Sequence, residues 1–82
     1  MSWPLLVEVI GWAGAGLILV AYLLLSAGRL PARSTAYQGM NLVGALAFVI
    51  NSGWNGAVPS ATLNVVWAGI ALFALVRIAR TA

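Results

Sequence analysis

Cysteine, histidine, aspartate and lysine are all missing from this 82-residue chain, and Glu8 is its only acid. Without cysteine there is no disulfide and no thiolate chemistry, and nothing marks the redox compartment. A single carboxylate with no His, Cys or Lys offers no acid–base pair, no set of metal ligands and no activated nucleophile. The sequence therefore predicts no enzyme activity, no metal and no cofactor. Charge of either sign is scarce: 6% of the residues are charged, against about 25% in a soluble domain. The formal net charge of +3 comes from four arginines. They stand in two separate pairs, too few for a surface that tracks phosphates, so nucleic acid is not an expected partner.

What the chain does have is apolar surface. Hydrophobic residues make up 63% of it, and the mean hydropathy is +1.05. A chain this short cannot hide so much in a core of its own, which favours a lipid bilayer as its solvent. Crossing about 30 Å of hydrocarbon takes about 20 largely apolar residues. Three stretches are read as spans, at about residues 4–27, 36–54 and 60–78. The expectation is an all-α, three-span transmembrane helical bundle forming one domain over residues 1–82. Pro4 suits a first helical turn, where its missing N–H costs nothing. "SAGRLPARS" (26–34) is a break built on Gly28 and Pro31, and "NGAVPS" (55–60) is a tight uncharged turn with Ser60 as the expected N-cap of the third helix. The opening "MSWPLLVEVI" has no positive segment before its apolar run and reads as retained, not as a cleaved signal. A soluble bundle would need a polar stripe along each helix, and "GLILVAYLLL" (16–25) has none.

The arginines predict an orientation. Arg29 and Arg33 fall in the first loop and Arg77 and Arg80 near the C-terminus, which three spans put on one side. The positive-inside rule makes that side cytoplasmic and puts the N-terminus outside, in what reads as a bacterial inner (plasma) membrane. Counted inward from the outer ends, Glu8, Asn51 and Asn64 share a level, with Trp12 and Trp67 one level deeper. Trp3 and Trp54 fit an interfacial aromatic belt, for which Trp12 and Trp67 lie too deep.

Helical spacing puts Asn64 and Trp67 on one face of the third helix, and Tyr37, Asn41, Gly44 and Phe48 on one face of the second, with Gln38 a step round. A buried amide without a partner costs roughly 2–7 kcal/mol, so these groups must meet each other, backbone carbonyls or water. They read either as the wall of a cavity or as glue between helices. Asn55 reads as a turn residue. For Glu8 the alternatives are snorkelling to the outer interface or proton coupling. Gly11 and Ala15 form a small-xxx-small pair for close helix packing, with Gly39, Gly44 and Gly69 as further candidates.

The segments "RLPARSTAYQ" (29–38), "WNG" (54–56) and "PSATLN" (59–64) resemble the PQ-loop superfamily, in particular the SemiSWEET (MtN3-type) three-helix half-transporters. That resemblance implies a parallel homodimer with Trp54 and Asn64 at a central solute site. The Pro-Gln pair that closes the first helix in that family is replaced here by "LLSAGRL". The patterns "GW.G..LIL.AY.L.S" and "YQ..N..GA" are also similar to a group of small bacterial membrane proteins without an assigned activity.

Two functions are carried forward. One is transport of an uncharged polar solute such as a sugar through a cavity between two copies, lined by Asn64, Trp67, Trp54, Asn51, Asn41, Gln38 and Tyr37. The other is a non-transporting accessory protein whose amides are interhelical glue. The expected partners are the lipid bilayer, a second copy of the chain and a small polar solute.

Overall fold

The computed structural model describes residues 2–81, which form three helices: α1 (Trp3–Ser26), α2 (Thr35–Trp54) and α3 (Val58–Thr81). Among the described residues there is no strand. Local signals set the starts of α1 and α2 and the turns that follow them. Ser2 caps α1, its Oγ accepting from the Leu5 N–H at 3.2 Å, and Pro4 occupies the first turn. Ser34 caps α2 in the same way, accepting from the Tyr37 N–H at 3.1 Å. Gly28 (φ +74°) and Gly56 (φ +71°) take the left-handed conformation just beyond the ends of α1 and α2, where a side chain would be strained.

One local expectation is corrected. Ser60 does not cap α3, because α3 already starts at Val58 and takes Pro59 into its first turn. There the missing N–H of proline is harmless. The Ser60 hydroxyl is left free to pair with Ser52 on α2, Oγ to Oγ at 2.9 Å.

The middle of the molecule is α2. Both α1 and α3 pack along it, and among the described residues they do not pack on each other. The chain is thus an up-down-up arrangement with α2 shared between two interfaces. On the α1 side the seam is made of Val7, Gly11, Gly14 and Ala21, all buried and spaced by four, three and seven residues. That is the a/d spacing of close-packed helices. A Cβ added at Gly14 would come within 2.7 Å of the Ala47 Cβ and 3.1 Å of the Gly44 carbonyl oxygen. One added at Gly44 would come within 2.5 Å of Ile18 Cγ1. The backbones meet there because neither glycine has a side chain. Gly39 and Gly69 have nothing within 4 Å of such a Cβ, so they are not close-approach positions.

On the α3 side, the buried residues are small or polar: Asn41, Ala45 and Ser52 on α2, with Ala68 and Ala71 on α3. The large apolar side chains point outward instead. Leu19, Leu23, Val43, Leu46, Ile70 and Phe73 are all exposed, which inverts the usual order of a soluble core.

Two of the three helices, α1 and α3, are long and apolar enough to cross a membrane. At 24 residues each, they extend about 36 Å. The sequence reading expects a third span at 36–54, but α2 falls short of that hydropathy. Its 20 residues include Thr35, Gln38, Asn41, Asn51 and Ser52, which lower the average. The helix that touches both neighbours is the one that can place such groups against protein.

Candidate functional site: a groove on the middle helix

Tyr37, Asn41 and Phe48 recur at intervals of four and seven along α2, and so form one ridge. To one flank α1 approaches through Gly44 and Asn51. To the other, α3 approaches through Asn41 and Ser52. Among the described residues α1 and α3 do not pack on each other, so this ridge faces a groove bounded by α1 toward one end and by α3 toward the other.

Two clefts lie along the groove. The first, of about 270 Å³, is lined by Glu8, Gly11, Trp12 and Ala15 of α1 and by Phe48 and Asn51 of α2. In it the Trp12 indole N–H donates to Glu8 Oε1 at 2.9 Å, one helical turn along the same face. Asn51 donates its Nδ2 across to the Val7 carbonyl oxygen at 3.0 Å. Gly11 makes room for that amide, since a Cβ there would lie 2.5 Å from Asn51 Nδ2.

The second cleft, of about 150 Å³, is lined by Tyr37, Gln38 and Asn41 of α2 and by Trp67, Ile70 and Ala71 of α3. Asn41 is buried and held from both sides. Its Nδ2 donates to the Tyr37 carbonyl at 3.1 Å, and its Oδ1 accepts from the Trp67 indole at 3.3 Å. Gln38 is committed by its Nε2 to the Ala32 carbonyl at 2.8 Å, which ties the first loop to α2. The arrangement offers flat aromatic faces beside oriented amides, a lining suited to an uncharged polar organic molecule.

Of the residues predicted from sequence, Tyr37, Gln38, Asn41 and Trp67 come together in the second cleft, while Asn51 joins Glu8 in the first. Trp54 and Asn64 line neither. Trp54 is an exposed last residue of α2. Asn64 donates to the Ser60 carbonyl of its own helix at 2.9 Å, so Trp67 pairs with Asn41 across the interface and not with Asn64. Asn55 caps the end of α2, its Nδ2 on the Asn51 carbonyl at 2.8 Å. Gly11 and Gly44 serve the α1–α2 contact, whereas Ala15 is half-buried on the wall of the first cleft. Sequence reasoning missed Gly14 and the Ser52–Ser60 pair. The first was legible as the next seam position after Gly11; the second lay in two serines flanking the turn, a weaker signal.

With this geometry in place, the comparisons with known proteins are brief. The model of an uncharacterised family matches residues 7–82. The chain belongs to that family. The match takes in all of α2 and α3 and most of α1, so the groove and both its clefts lie in the family's shared region. No curated protein and no solved structure matches the chain. The PQ-loop and SemiSWEET resemblance receives no support from these comparisons.

Proposed function

We propose that this chain is a three-span integral membrane protein, with the arginine end cytoplasmic and the N-terminus outside, that pairs with a second copy and passes a small uncharged polar solute along the α1–α3 groove. The observation that carries the reading is the ridge of α2 shared by the two clefts. An amide and an indole line each of the two clefts, Asn51 with Trp12 at one level and Asn41 with Trp67 at the other. One copy leaves the groove open along its length, and a second copy facing it would close it. A bacterial inner membrane and a SemiSWEET-like dimer are the finer forms of the same proposal. The chain performs no catalysis in this reading. Glu8 sits at the mouth of the first cleft as the candidate for proton coupling.

The lower hydropathy of α2 supports its place as the helix that lines the path. In a bilayer, polar residues belong where they face protein or water. The test is solute flux into liposomes holding purified protein, over a panel of sugars, polyols and amino acids. Wild type should move at least one of them, and Asn41→Ala or Trp67→Ala should slow it several-fold with insertion unchanged. If no solute moves, the transport reading falls.

A second reading has its own observation. Asn51, Asn41 and the Ser52–Ser60 pair all find partners within the chain, and no buried polar side-chain atom among the described residues lacks one. That is how interhelical glue in a non-transporting accessory protein would look. Flux separates the two readings, because the glue reading predicts none.

A further inference from the structure

A third cleft, of about 200 Å³, lies at the opposite end of the molecule from Glu8, lined by Ala32, Arg33, Gln38, Ala74, Arg77, Ile78 and Thr81. It joins the loop between α1 and α2 to the last turns of α3. We propose that this cleft binds a phosphate group, held between Arg33 and Arg77.

Two arginines from different elements line one concave surface. Among the described residues no carboxylate lines the cleft, and the chain's only acidic side chain is Glu8. Two like charges brought together are held most favourably by an anion between them. The other polar groups around the cleft are already engaged. Gln38 Nε2 donates to the Ala32 carbonyl at 2.8 Å, and the Thr81 hydroxyl donates into the last turn of its own helix, 3.0 Å from the Arg77 carbonyl. The cationic donors of the cleft are the two guanidiniums, whose planar forks match phosphate oxygens. Both are also placed. The Gln38 bond pins the loop beside Arg33, and the Arg77 Cζ lies 5.9 Å from the centre of the Phe73 ring, within cation–π range. Ala32, Ala74 and Ile78 give the cleft an apolar wall, which suits a phosphate carrying an ester chain as well as a free one.

The same chemistry can come from two sources, the headgroup of an anionic phospholipid at the membrane surface or free inorganic phosphate. Basic pockets between helices are a known setting for the first. The inference does not depend on transport, and its test needs no flux.

The experiment follows the thermal unfolding midpoint of the full chain in uncharged maltoside micelles. One arm adds phosphatidylglycerol against phosphatidylcholine, and the other adds inorganic phosphate against chloride at matched ionic strength. A saturable rise in midpoint is expected with phosphatidylglycerol or with phosphate, and the arm that shows it identifies the source. Arg33→Gln and Arg77→Gln should each raise the concentration required about tenfold or more, since a charge-assisted bond is lost. Arg29→Gln and Arg80→Gln remove the same charge outside the cleft and should leave the response unchanged. The proposal is overturned if neither ligand raises the midpoint. It is equally overturned if all four variants weaken the response alike, because a diffuse basic field would do that. All four arginines are exposed, so the variants are expected to fold, and helicity by circular dichroism checks it.

Discussion

The two sides of α2 hold their neighbours by different physics. Against α1, the contact is backbone to backbone. Gly14 and Gly44 let the two main chains approach until a single added methyl would collide with Ala47, Ile18 or a carbonyl oxygen. Against α3, the contact runs through polar side chains, the Ser52–Ser60 hydroxyls and the Trp67–Asn41 bond, over a bed of alanines. Close packing is least forgiving at Gly14, where the nearest atoms are the Ala47 methyl and a backbone carbonyl and no rotamer can yield. A few side-chain bonds, each worth about 0.6 kcal/mol in membrane-protein measurements, can be broken and remade. The difference marks α1–α2 as the less forgiving of the two contacts.

Substitutions can break or sharpen that contrast. The largest effect is expected at the glycine seam. Gly14→Ala or Gly44→Ala should destabilise the chain by about 1–3 kcal/mol, the cost of overpacking a close contact, as read by reversible unfolding in mixed micelles. Next comes Asn51→Leu, which removes the side-chain bond from α2 to the Val7 carbonyl of α1. It should cost about 1 kcal/mol or more, because the Gly11 notch is then filled by the wrong shape. Smaller still is the hydroxyl pair. Ser52→Ala and Ser60→Ala, combined in a double-mutant cycle, should couple by about 0.6 kcal/mol. At the bottom of the scale, Gly39→Ala and Gly69→Ala meet nothing. They should be neutral or stabilise by up to about 1 kcal/mol, since alanine is the better helix former. If Gly39→Ala cost as much as Gly44→Ala, the distinction between seam and surface glycines would fail.

The sequence made the helices legible because their causes are local. Ser34, Gly28 and Gly56 act within a few residues, and the three expected spans overlap α1, α2 and α3 closely. The face shared by Tyr37, Asn41 and Phe48 was equally legible, since it follows from the helical period alone. Who meets whom was not. Periodicity says which residues share a face but not which neighbour covers it. Asn51 and Asn64 were expected at one depth, yet one crosses to the Val7 carbonyl and the other turns back on its own helix. Depth is only one coordinate, and with α1 and α3 apart there is no line of contact between the two amides. The span expected at 36–54 is not matched by hydropathy, because α2 carries Thr35, Gln38, Asn41, Asn51 and Ser52 among its apolar residues.

A solute path along α2 requires water to reach one face of that helix. The chain has no cysteine of its own, so single cysteines can report this cleanly in a lipid bilayer. Tyr37→Cys and Phe48→Cys, half-buried on the groove floor, should react readily with a small water-soluble thiol reagent. Val43→Cys and Leu46→Cys, whose parent side chains are exposed on other faces of the helix, should stay protected by lipid. Equal protection at all four positions would mean a dry groove and would contradict a solute path along α2.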